Sequence, residues 1–314
     1  MEARRWGRRK AWPVVIGLGV VLALVGYFAV SFIRSVTPDE CTAHGPDGTT
    51  VTLDLDQTSH AATIAAVAHA RGLPEQAVTI ALATAIQESK LRNLSHGDRD
   101  SLGLFQQRPS QGWGTPAQIS DPVYAVGKFF DALVKVPHYL NLPVTEAAQQ
   151  VQHSGYPEAY AQHQAMATTL ADVLTGRAGP ALSCTVSAAD PTASAGQNGA
   201  TDAVREDGAG DAVAAAVRRE FGWAPAAVPA TGSAGVRYLI ATDQAATGWS
   251  LALWLVCHAT TLHATSVTFD GRHWSSTESD QGWTRMAPGS WAGAVSGSGS
   301  RDTSTLAVTL GEHT

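Results

Sequence analysis

Several enzyme classes are excluded by what this 314-residue chain does not contain. Its eleven histidines are scattered, and none falls in a His-Glu-x-x-His run or a comparable ligand spacing, so no metal ion is expected. Gly248-Trp249-Ser250-Leu251-Ala252 lacks the closing glycine of a strained nucleophile elbow, which argues against a serine hydrolase of that design. Cysteine occurs only three times, and Cys257, in the apolar run 249–259, reads as a buried, inert thiol. Positive charge is also scarce: 21 Lys and Arg face 27 Asp and Glu, for a net of −6. The first twelve residues carry five positive charges and one negative, so −10 remains on the rest, the wrong sign for a nucleic-acid partner.

Charge is absent altogether from residues 13–33. At about 1.5 Å per residue this segment reaches roughly 30 Å, the thickness of a bilayer's hydrocarbon core, so one transmembrane helix is expected. Arg4, Arg5, Arg8, Arg9 and Lys10 precede it, while Asp39 and Glu40 follow. The positive-inside bias then makes residues 1–12 a cytoplasmic tail and sends everything after the span to the extracytoplasmic side of the cell membrane. A cleaved signal peptide is the competing reading, but its apolar core is usually ~7 to 15 residues and no clear small-x-small site follows here, so a signal anchor is favoured. One span forms no alternating-access path, which leaves a transporter role only to an accessory subunit.

Cys41 and Cys184 flank a helix-rich region. In an oxidising compartment they can pair, closing a loop worth roughly 5 kcal/mol on the chain-entropy model; two unpaired thiols in exposed flanks are the alternative. Thr58 and Ser59 are placed to cap a first helix that runs to Arg71 and stops at Gly72. Pro74 suits the first turn of a second helix reaching Lys90. After an irregular stretch from Leu91 to Trp113, Asp121-Pro122 opens a third helix, Pro143 a short fourth and Pro157 a fifth ending near Gly176. With no alternating apolar run among them, residues 41–184 read as an all-α domain. Residues 185–202, mostly Ala, Gly, Ser, Thr and Asp, read as a flexible linker. Residues 203–314 mix helices (211–221, 249–262) with strands (237–242, 266–269, 305–310) and suggest a smaller α/β or α+β domain.

The chemistry lies in the second helix and the loop after it. Glu88 follows Ala81, Thr84 and Ala85 at spacings of seven, four and three, above a stripe of small residues at the helix end. Burial there and the negative end of the helix dipole both favour the protonated acid, the state that donates a proton to a glycosidic oxygen. The plainer alternative is a terminal Glu paired with Lys90, Arg92 or Arg99.

Ala85-Ile86-Gln87-Glu88-Ser89, Asn93, Ser101-Leu102-Gly103-Leu104-Phe105-Gln106 and Pro109 resemble the Glu-Ser and Gly-Leu-Met-Gln signatures of soluble lytic transglycosylases, in the lysozyme-like superfamily, over residues 58–176. The layout of anchor, cysteine-bracketed helical domain and mixed C-terminal domain also resembles a group of membrane-anchored actinobacterial envelope proteins. The resemblance implies that Glu88 is the sole acid/base, cleaving the bond between N-acetylmuramic acid and N-acetylglucosamine in peptidoglycan glycan strands to a 1,6-anhydro product. It implies no organic cofactor. Ser89 would help orient Glu88, Gly103 would let the backbone approach the glycan, Ser101 would contribute a sugar contact, and Gln106 would hydrogen-bond sugar or hold the loop.

The chain departs from that family at its Tyr-Asn-Ala-Gly motif, where Gln152-His153-Ser154-Gly155 stands, and either Tyr156 or Tyr160 would supply the missing ring. Asp98 and Asp100 offer a second carboxylate, which correctly placed would turn the reaction into a lysozyme-type hydrolysis. Trp113 is either a sugar-stacking platform or a plug under the loop, and Trp274, Trp283 and Trp291 sit among polar and Gly-rich residues, where indole rings can stack on glycan. A non-catalytic peptidoglycan-binding scaffold is the alternative function.

Overall fold

The computed structural model describes residues 39–187, 206–223, 228–231, 236–242, 244–286 and 305–311. The expected span at 13–33, residues 188–202 of the expected linker and Trp291 lie outside them. Among the described residues no helix is long and apolar enough to cross a membrane.

The expectation of an all-α region over 41–184 is overturned by a sheet. Strands β1 (Glu40–His44) and β2 (Thr50–Asp54) form a hairpin, and β3 (Leu182–Thr185) pairs with the other edge of β1, giving an antiparallel sheet in the order β2-β1-β3. Each strand has only four or five residues, too short for alternation to stand out against the helical periodicity around it. Cys41 lies directly opposite Cys184 in the β1–β3 register, and the two are joined by a disulfide.

Helix α1 (Leu55–Ala70) starts earlier than Thr58 and Ser59 suggest. Its N-cap is Asp54, the last residue of β2, whose carboxylate accepts from Gln57 N–H while the Gln57 side chain accepts from Asp54 N–H, a reciprocal capping box. Helix α2 (Glu75–Ser89) follows a short turn, and the Ala-rich stretches of both helices are buried nearly all round, as befits helices at the centre of a bundle. Helices α3 (Pro116–Ile119), α4 (Pro122–Leu133), α5 (Val144–Gln152) and α6 (Gln164–Leu174) complete this part, with a 3-10 helix over Pro157–His163 entering α6. Asp121 caps α4 by accepting from Val123 N–H at 3.0 Å.

Beyond β3, α7 (Glu206–Phe221), β4 (Val228–Thr231), β5 (Val236–Ala241), α8 (Ala245–Cys257), α9 (Ala259–Leu262), β6 (Ala264–Phe269), β7 (Arg272–Ser275), β8 (Thr284–Arg285) and β9 (Thr305–Leu310) form an α+β arrangement. All strand pairs are antiparallel in the order β4-β5-β9-β6-β7-β8. Helix α8 is the joint: it packs on α1 and α6 on one side and on β6 and β9 on the other. Its Ser250 hydroxyl donates to Leu174 O at 2.8 Å, at the last residue of α6. The apolar core therefore runs without a break from the helices around α2 to the six-stranded sheet, and the described residues group as one compact unit.

Candidate active site

Glu88 stands on the last turn of α2, half-buried, and the geometry of that turn fixes where it points. The helix ends because Lys90 and Leu91 both adopt left-handed backbone, with φ of 56° and 59°, and Leu91 N–H reaches back to Ala85 O at 3.1 Å. Left-handed conformation costs a non-glycine residue about 1 kcal/mol or more and persists where surrounding contacts enforce it. Here Gln57 and His60 of α1 bond to Lys90 O and Leu91 O, both at 2.8 Å, while the Leu91 side chain is fully buried.

Tyr160, from the 3-10 helix before α6, donates its hydroxyl to Glu88 Oε1 at 2.7 Å. The ring is fully buried. Burial first, and then the hydrogen bond to Glu88 and its charge, push the phenol well above its usual range, while a bond with the Ser154 side chain acts the other way. Tyr160 is thus a fixed donor to one carboxyl oxygen. Tyr156, the other candidate ring, is 79 % exposed and does not enter the core.

Of the three cations that might have neutralised Glu88, Arg92 and Arg99 are engaged elsewhere, and the exposed Lys90 makes no ion pair with it. Arg92 pairs with Asp54 and, at 3.8 Å, with Asp56, while Arg99 contacts Asp98 at 3.8 Å. Among the described residues Glu88 has no ion-pair partner. Asp100 is no free second carboxylate: Arg108 Nε donates to it at 2.8 Å, and Ser110 donates from its backbone at 2.8 Å and its hydroxyl at 3.0 Å. The guanidinium of Arg108 and these two donors hold the Asp100 carboxyl far below the usual range. Asp98 points into solvent, its side chain 91 % exposed.

Ser89 does not reach Glu88. Its buried hydroxyl donates to Ala85 O at 3.0 Å and to Leu104 O at 2.8 Å, tying the helix end to the glycine loop. That loop closes on itself through paired backbone bonds between Leu102 and Gln107, both 3.0 Å. Gly103 is required at its turn: φ is +76°, and an added Cβ would stand 2.7 Å from Ile119 O. The buried Gly103 therefore approaches the α3 backbone rather than open surface. Gln106, also left-handed at φ 48°, donates to Gly103 O at 3.3 Å and fills the space beside Gly97. Ser101 is buried and its N–H closes a turn to Asp98 O. Of the expected sugar contacts, Gln106 and Tyr156 keep accessible surface, whereas Ser89, Ser101, Gly103 and Tyr160 build the frame.

The segment at the departed motif also has a structural part. Gln152 Nε2 donates to Phe105 O at 2.8 Å, joining α5 to the glycine loop, and Phe105 stacks on Phe129 of α4 with centroids 4.5 Å apart. Trp113 packs half-buried against the core while its carbonyl accepts from Tyr124 Oη. Trp274 is fully buried and donates to Cys184 O at 3.1 Å, and Trp283 donates to Leu182 O at 2.7 Å, so these two indoles tie the large sheet to β3 instead of forming a row for glycan.

Gln87, Gln162 and His163 were not legible as a group. Gln87 Oε1 accepts from His163 Nε2 at 2.8 Å and from Gln162 Nε2 at 3.3 Å, a triad spread over 76 positions with no sequence motif. No group of three or more His, Cys, Asp or Glu side chains among the described residues is placed to hold a metal ion. No protein-family model matches this chain, and no curated protein sequence matches it.

Proposed function

We propose that the protein cleaves peptidoglycan glycan strands as a lytic transglycosylase, with Glu88 as the one acid/base. The observation that carries this reading is a half-buried carboxyl with no cationic partner, held on one oxygen by a buried tyrosine hydroxyl. An ion-paired Glu would be a structural contact; one with no cationic partner and a second oxygen left free is placed for general acid/base work. The loop resemblance in residues 101–106 adds the substrate class.

In the reaction the Glu88 carboxyl transfers its proton to the oxygen linking the muramoyl C1 to the next sugar, and that C1–O bond breaks. The carboxylate left behind, stabilised by the Tyr160 donor, takes the proton from the muramoyl 6-hydroxyl as its oxygen closes on C1. The products are a 1,6-anhydro end and a free 4-hydroxyl, and Glu88 is again protonated. Asp100, held by Arg108 and Ser110, favours this one-carboxyl route over hydrolysis, which needs a second carboxylate at the sugar. Anchoring through residues 13–33, with the N-terminus cytoplasmic, would confine cutting to wall near the membrane.

The test is digestion of purified peptidoglycan by the full-length protein in detergent, wild type beside Glu88→Gln, with fragments weighed by mass spectrometry. Ends one water lighter than hydrolysis products, lost by at least about 10²-fold in the variant, are expected. Full-mass reducing ends would replace the lytic step by hydrolysis. Retained wall binding without release from either protein would leave a glycan-binding scaffold, the reading that the altered tyrosine motif and exposed Tyr156 favour.

A further inference from the structure

Beside Glu88 the last turn of α2 carries a second half-buried polar side chain, Gln87, and the 3-10 helix 157–163 covers both. Tyr160 bonds Glu88; one turn later Gln162 and His163 bond Gln87. The orientation of this carboxamide follows from the chain of donors. Gln162 Nε2 donates to Ala159 O at 3.0 Å, and a backbone carbonyl only accepts, so that atom is the nitrogen. It also contacts Gln87 Oε1, which must therefore be the oxygen. His163 Nε2, at 2.8 Å from the same oxygen, then carries the N–H. Burial, and after it the charge of Lys90, lower the His163 pKa.

Both acceptor positions of the Gln87 oxygen are thus occupied, and turning the amide over would set N–H against N–H. Its NH2 group has no hydrogen-bond partner among the described residues. A partly desolvated donor held in one direction recognises an acceptor, and among the groups of a wall glycan the acetamido carbonyl is the strongest neutral one. We infer that Gln87 is a specificity-determining residue that hydrogen-bonds the N-acetyl carbonyl of the sugar bound at Glu88, its amide locked for that purpose by Gln162 and His163. This rests on the reading of Glu88 as the acid.

The experiment compares kcat and KM of the full-length protein on N-acetylated glycan strands and on the same strands after chemical de-N-acetylation. Wild type is expected to prefer the acetylated glycan by about tenfold, and Gln87→Met, which keeps the volume and removes the donor, to reduce that preference to about twofold or less, mainly through KM. If Gln87→Met melts early, the double variant Gln162→Met/His163→Phe, which removes both donors that hold the amide, is measured in its place and should lose the preference in the same direction. Cleavage with the preference retained in the measured variant overturns this inference and leaves the Glu88 reading intact. Wild-type protein that releases nothing from either glycan removes both.

Discussion

Tyr160 and Glu88 are 72 positions apart in the chain, and their contact gives the site its character. A hydrogen bond donated to a carboxyl favours its ionised form, so the phenol works on the second half of the reaction, when the carboxylate acts as base. Tyr160→Phe keeps the ring in its buried place and removes only the donor. The expected result is a lower kcat on peptidoglycan with an unchanged thermal midpoint, read by the digestion assay and by thermal denaturation. An unchanged kcat would show Tyr160 to be packing alone. The single letter most exposed to misreading was Ser89: its neighbour in sequence is Glu88, but its partner in space is Leu104 O. Along a helix the direction of a side chain turns by about 100° per residue, so adjacency in sequence carries no promise of contact.

At the scale of elements, the site is a helix end pressed against a glycine loop, and each has a testable weakness. Gly103→Ala meets both a left-handed φ and the Ile119 carbonyl at 2.7 Å. A cost of about 2 to 4 kcal/mol and a loss of glycan cleavage are expected, read by thermal denaturation and by the digestion assay. Asp100 gives the loop a pH dependence of definite sign. Its carboxyl is lowered in the folded protein from 3.8, so its bonds to Arg108 and Ser110 favour the folded loop fully above that value and do so progressively less as the pH falls below it. Amide exchange at Ser110, whose N–H donates to Asp100, should therefore lose protection on acidification below about 4, and Asp100→Asn should show the loss at neutral pH. Strand-scale reading failed for β1, β2 and β3 because pairs of alternating residues in a four- or five-residue strand match helical spacing equally well, and what makes them strands is their partner, not their pattern.

At the scale of the molecule, the bond between Cys41 and Cys184 closes 143 positions of chain. Around it are gathered the small sheet and the indoles of Trp274 and Trp283, so it ties the beginning of the described chain to the C-terminal part. On the loop-entropy model, reduction or Cys184→Ser should lower stability by up to about 5 kcal/mol, with a lower denaturant midpoint and a steeper slope as the unfolded chain expands. An unchanged midpoint would mean that the paired strands hold these ends without the bond.

The longer helices between residues 55 and 174 and their approximate ends were legible in the sequence, because Pro and Gly at the turns and long apolar periods are local signals that no distant residue needs to complete. The sequence also put Glu88 on a helix terminus and Gly103 in a turn, for the same local reason. Only the tertiary structure decided which tyrosine faces the acid, that Asp100 is engaged by Arg108, that Ser89 serves the loop, and that β1, β2 and β3 exist at all. Each of these is a contact between segments far apart in the chain. Whether such contacts form depends on how the shared core around α1, α2 and α8 packs, and no window of sequence contains that packing.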